Sequence, residues 1–82
     1  MGMDAQIRMA MLAVMAGDRR LMPFLFALNG SKFKGYVLHF LLTKGIVGAA
    51  LFDFIERQYG GNAMLAASDL CLEAQLALDR LV

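Results

Sequence analysis

The stretch "MAMLAVMA", residues 9–16, contains no polar side chain. It lies within a segment of helical length in which Ile7, Met11, Val14 and Met15 form the i, i+4, i+7, i+8 stripe of an amphipathic helix. Asp4 stands where a cap is needed, and Gly17 ends the helix after about Ala16. A helix that is apolar on every side is buried on every side, so this one must be covered on its outer face too. A chain of 82 residues has little material for that, because domains this small bury only about 60% of the surface that the unfolded chain exposes. The shortage is general: 60% of the residues are hydrophobic, against about 45–50% in an average globular domain. The surplus predicts an oligomer or an obligate partner. The competing reading is a monomer with alanines and methionines scattered over its surface.

Glycine, asparagine and a single proline punctuate the rest of the chain. Asp18 opens a second short helix, through Arg20 to about Leu28, with Pro23 tolerated in its first turn. "NGSKFKG" closes it with an Asn29-Gly30 turn, and Ser31 is placed to cap the next segment. "YVLHFLLTK", residues 36–44, lacks the alternation of a strand and reads as a third helix ended by Gly45. The fourth, 46–59, puts Val47, Leu51, Phe54, Ile55 and Tyr59 on one side and Asp53, Glu56 and Arg57 on the other. Residues 36–59 fit either two helices or one kinked helix. After Gly60-Gly61, Asn62 caps a fifth helix that runs to the C-terminus. The expected fold is all-α: a single domain, 1–82, forming a compact bundle of four to five short helices, as a dimer.

The fifth helix carries two apolar stripes. Leu70, Ala74, Ala77, Leu78 and Leu81 form one, sufficient to dock it on the core. Leu65, Leu72 and Leu76 form another, set among Asp69, Glu73, Asp79 and Arg80. Two stripes need two partners, and the second predicts a subunit contact with the charges as its rim. The expected oligomer interface is Met9, Leu12, Leu65, Leu72 and Leu76. The alternative is three leucines shielded by long neighbouring side chains.

Charge is segregated beneath a net of +1. Residues 19–44 hold Arg19, Arg20, Lys32, Lys34 and Lys44 and no acid, a local +5, whereas residues 45–82 sum to −3. These five cations are the candidate site for an anionic partner, and Lys32, Phe33, Lys34 and Tyr36 interleave aromatics with cations as single-strand binders do. Solvated loop lysines explain the same pattern, and the chain lacks the basic overall balance common in nucleic-acid domains. A helix-turn-helix can be drawn with 46–59 as the reading helix, but its polar face would offer Asp53 and Glu56 to the phosphates. The best membrane window, 35–52, includes His39, Lys44 and three glycines, so no membrane span is expected.

No catalytic constellation, metal-ligand set or cofactor motif can be assembled. His39 is the only histidine and, between Leu38 and Phe40, reads as a core or interface residue with its nitrogens satisfied. Cys71 is the only cysteine, which excludes a disulfide framework and reads as a small hydrophobe. "GSK" at 30–32 lacks the upstream glycine of a phosphate loop. The first twenty residues do not read as a signal peptide, so a reducing, cytoplasmic location is expected.

The run "RRLMPFLFALNGSKF" followed by "ALFDFIER" resembles a family of small uncharacterised proteins of bacterial plasmids and other mobile elements. In these, an arginine-led apolar helix ends in an Asn-Gly turn before a phenylalanine, and an "ALF" helix lies downstream. The resemblance covers residues 19–57. The spacing between its two parts is longer here, and the proline and aspartates usual after the phenylalanine are absent. It implies an accessory cytoplasmic protein and carries over no functional residues. The expected function is a non-catalytic helical interaction module that self-associates and binds a macromolecular partner. The alternative is a small nucleic-acid-binding accessory or regulatory factor using the 19–44 segment.

Overall fold

Apolar periodicity and glycine punctuation resolve into five α-helices in the computed structural model, which describes residues 2–81. They are α1 (Met3–Met15), α2 (Met22–Asn29), α3 (Lys34–Lys44), α4 (Gly48–Tyr59) and α5 (Ala63–Asp79). A single 3₁₀ turn, Arg19–Leu21, leads into α2. Among the described residues there is no strand, and the all-α bundle expected from the sequence is the fold observed.

The chemistry of the boundaries agrees with the sequence in most places. The side chain of Asn62 accepts a hydrogen bond from the Leu65 amide at 3.0 Å, which satisfies one orphan donor at the start of α5. Pro23 sits in the first turn of α2. Tyr59 is followed by Gly60 in the left-handed region at φ 60°, where a side chain would be strained. Asp18 accepts from the Arg20 amide and so caps the 3₁₀ turn.

Several expected bounds are corrected. Asp4 does not cap α1: Gly2 occupies that position without a side-chain bond, and Asp4 lies in the first turn, where its charge still favours the helix dipole. α1 ends at Met15 because Ala16 itself turns left-handed, at φ 50°. The segment from Asp18 is a capped turn followed by a helix rather than one helix. Residues 36–59 form two helices, with α3 starting at Lys34 and α4 at Gly48.

Val14, Leu21, Phe24, Leu28, Leu38, Leu41 and Leu51 are the fully buried centre of the core. They come from α1, α2, α3, α4 and the turn before α2, so each of these elements contributes one apolar face. α1 packs mainly on α3, and α2 mainly on α5. The docking stripe of α5 differs from the expected one. Ala66, Ala67 and Leu70 are buried and Ala74 half-buried, but Ala77 and Leu81 are exposed. Small residues let the backbones of α2 and α5 approach, and beyond Ala74 only Leu78 of the expected stripe is half-buried.

Candidate functional site

The fold leaves large apolar side chains uncovered in number. Thirteen are exposed among the described residues, as many as the thirteen residues buried in the core. The Cα radius of gyration, 12.1 Å, matches the roughly 12 Å expected of a compact chain this long. The accessible surface is 5418 Å², against about 4,900 Å² expected of a 9.0 kDa monomer. A normally compact backbone thus carries a surface about a tenth larger than expected.

All five residues expected at a subunit contact lie in this uncovered set: Met9 and Leu12 on α1, and Leu65, Leu72 and Leu76 on α5. The structure does not gather them into one cluster. The three leucines share the side of α5 opposite Ala66, Ala67 and Leu70, at helical spacing. Met9 and Leu12 lie on a helix that packs on α3 and α2 rather than chiefly on α5. α2 touches both α1 and α5, and its own outward pair, Met22 and Phe26, is exposed. Leu12, Met22 and Phe26 line one hollow of about 190 Å³ between α1 and α2. Leu72 lines another between α2 and α5.

Met22 and Phe26 are not legible as surface residues in the sequence. "MPFLFAL" is apolar at every position from Met22 to Leu28, so no wheel separates Phe24, which is buried, from Phe26, which is 70% exposed. Tyr36 and Phe40, one turn apart on α3, are exposed as well. With Ala74, Ala77 and Leu78 of α5, and Leu81 just beyond it, they line a groove of about 480 Å³.

The basic residues are dispersed in their roles. Arg19, Arg20, Lys32 and Lys44 are exposed and Lys34 is half-buried. Arg20 is held by Asp18 through Nε to Oδ1 at 2.9 Å and Nη2 to Oδ2 at 2.7 Å, and its guanidinium lies 3.8 Å from the centre of the Phe52 ring. The Arg20 side chain holds the Asp18 carboxyl below its ordinary range, and Asp18 in turn raises Arg20. Lys34 Nζ lies 3.3 Å from both the carbonyl and the side-chain oxygen of Asn29. The interleaved aromatics separate: Phe33 is half-buried beside Lys32, while Tyr36 opens onto the groove with α5.

His39 is not in the core. It is exposed, with Nε2 3.5 Å from Thr43 Oγ1. Each step along a helix turns the side chain by about 100°, which sends His39 away from Val37, Leu38 and Leu41. Cys71 is half-buried on α5, beside the hollow that Leu72 lines. Among the described residues no three His, Cys, Asp or Glu side chains come together as a metal site. Among the described residues no single helix is long and apolar enough to cross a membrane; α3 and α4 together have the length and composition, but they bend by 109° and bury Val37, Leu38, Leu41, Leu51 and Ile55 in the bundle. No family model, curated protein or solved structure matches the chain.

Proposed function

We propose that the chain is a non-catalytic helical interaction module that forms a dimer and binds a macromolecular partner. The reading rests on one observation, the equality between large apolar side chains exposed and residues buried. Isolated apolar side chains are ordinary on a surface, but contiguous groups are typical of contacts. The surface in excess of the expected value, roughly 500 Å², is a sizeable part of the roughly 800 Å² that each partner contributes to a standard interface. Leu65, Leu72 and Leu76 supply the contact on α5, with Asp69 beside them as a polar margin. Met9 and Leu12 supply it on α1, and Met22 and Phe26 extend it across α2. Methionines at two of these exposed positions, Met9 and Met22, suit a contact that must adapt its packing. The likeness of residues 19–57 to plasmid and mobile-element proteins supports an accessory role.

Replacing Leu65, Leu72 and Leu76 together by Gln tests the reading. The three side chains are outside the core, so the variant is expected to keep its helical content and elute with the light-scattering mass of a monomer, while the native chain elutes as a dimer. A variant that stays dimeric places the contact elsewhere.

A further inference from the structure

We infer that the groove between α3 and the C-terminal half of α5 is a second, heterotypic site, and that its occupant is an amphipathic helix of a partner protein with Lys or Arg at the edge of its apolar face. The inference deepens the interaction-module reading, but it is separate from the self-association surface, since none of Met9, Leu12, Leu65, Leu72 and Leu76 lines this groove.

One wall is the i, i+4 ring pair Tyr36 and Phe40, and the other is Leu78 and Leu81. Ala74 and Ala77 of α5 also line it, and such small side chains let a guest backbone come close. The groove runs along α5 from Leu70 to Leu78, with Leu81 just past the helix end, about 12 Å at 1.5 Å per residue, or two turns of a guest helix. A guest helix lays residues at i, i+3, i+4 and i+7 into a trough of this form. Its volume of about 480 Å³ also exceeds what one or two inserted side chains fill.

Charge selects among occupants. Among the described residues, Glu73 is the only charged one that lines the groove. Its carboxylate has no ion-pair partner among the described residues, where Arg20–Asp18 is the sole pair. The neighbouring acid one turn earlier, Asp69, is engaged by the Tyr59 hydroxyl at 2.6 Å. The rim is therefore apolar with an unpaired negative charge, complementary to a helix whose apolar stripe is flanked by cations. A second copy of this chain offers a poorer match on α5, where the leucine stripe itself lies among Asp69, Glu73 and Asp79.

Fluorescence anisotropy with labelled eighteen-residue model peptides tests the inference. The peptides have leucine at i, i+3, i+4 and i+7, and their flanking positions are all Lys, all Gln or all Glu. The Lys-flanked peptide is expected to bind the native chain most tightly and the Glu-flanked peptide most weakly. Glu73→Gln is expected to reduce the preference for Lys over Gln by about twofold to fivefold, as an exposed charge pair would. Ala77→Trp, at an exposed position, should fill the trough and weaken every peptide by about tenfold, an easily measured 1.4 kcal/mol. Tyr36→Ala should weaken them in the same direction, and Leu72→Gln should leave them unchanged. Equal binding by native and Ala77→Trp proteins, a Glu-flanked peptide that binds as well as the Lys-flanked one, or no peptide binding would overturn the inference. A native dimer that becomes monomeric on Ala77→Trp would also overturn it, by showing that a second copy fills the groove. A monomeric native chain that binds peptide as described would leave the groove standing and remove only the self-association.

Discussion

The hydroxyl of Tyr59 donates a hydrogen bond to Asp69 Oδ2 at 2.6 Å, tying the last residue of α4 to the middle of α5 across the Gly60-Gly61 turn. The edge of the Phe54 ring packs against the Tyr59 ring, with centroids 5.8 Å apart. Desolvation, and then the bond to Asp69, push the phenol up to about 12. Tyr59→Phe keeps the ring and removes the donor, so it is expected to lower the unfolding free energy by about 1–2 kcal/mol in urea titration. The pH dependence has a definite sign. The unfolded phenol loses its proton near 10 and the folded one near 12, so this contribution is full below pH 10 and disappears as pH rises towards 12. The native chain should lose more stability across that window than Tyr59→Phe does.

Gly48 stands at φ +56°, and an added Cβ would lie 3.1 Å from the Cβ of Ala16. Neither Ala16 nor the backbone near it can swing aside as a long side chain would. Gly48→Ala is therefore expected to cost about 2 kcal/mol through left-handed strain and crowding between the end of α1 and the start of α4. Thermal unfolding measures it, and an unchanged midpoint would contradict the packing described there.

Arg20 joins the loop before α2 to α4, through its pairing with Asp18 and its place over Phe52. Lysine keeps the charge but loses both the planar fork and the stacking. Arg20→Lys is expected to lower the thermal midpoint slightly, more than a neutral exposed substitution would. Asp18→Ala removes the cap of the 3₁₀ turn as well and should destabilise more than Arg20→Lys does. Because Arg20 holds the Asp18 carboxyl low, the stabilisation from that carboxylate is present above the unfolded value of 3.8 and is lost as pH falls through the lower folded value. The Asp18→Ala chain should lack this acid-limb loss in a pH series of denaturation curves.

Self-association through apolar faces should ignore the basic segment. Lys32→Glu combined with Lys34→Glu is expected to leave the dimer dissociation constant within about twofold, a change of under half a kcal/mol. Raising salt from about 50 to about 200 mM should likewise leave it unchanged, whereas phosphate or acidic contacts would weaken steeply. Light scattering over a dilution series measures both.

Most of the fold is legible because its signals are local. Asn62 beside the start of α5, Pro23 in the first turn of α2, and the clean wheel of Leu51 and Ile55 against Asp53 and Glu56 each specify a boundary or a face from neighbouring residues alone. What escapes depends on tertiary approach. Spacing assigns the docking of α5 to the stripe from Leu70 to Leu81; Leu70 does dock, but Ala66 and Ala67 are buried with it, because closeness to α2 favours small side chains. The neighbours Leu38 and Phe40 argue for a buried His39, although Phe40 itself is exposed. In α2, a stretch without polar residues gives no means of telling Phe24 from Phe26. For the candidate contact, the outward positions of Met9, Leu12, Leu65, Leu72 and Leu76 can be read from spacing. That α2 contributes Met22 and Phe26 beside them cannot.

The central claim is that the bundle leaves an apolar surface that a second copy covers. Sedimentation velocity of the native chain at low micromolar concentration tests it most directly. The account predicts a species of twice the 9.0 kDa chain mass, reverting to the monomer when Leu65, Leu72 and Leu76 are changed to Gln. A well-folded native chain sedimenting as a 9.0 kDa monomer at that concentration would contradict it.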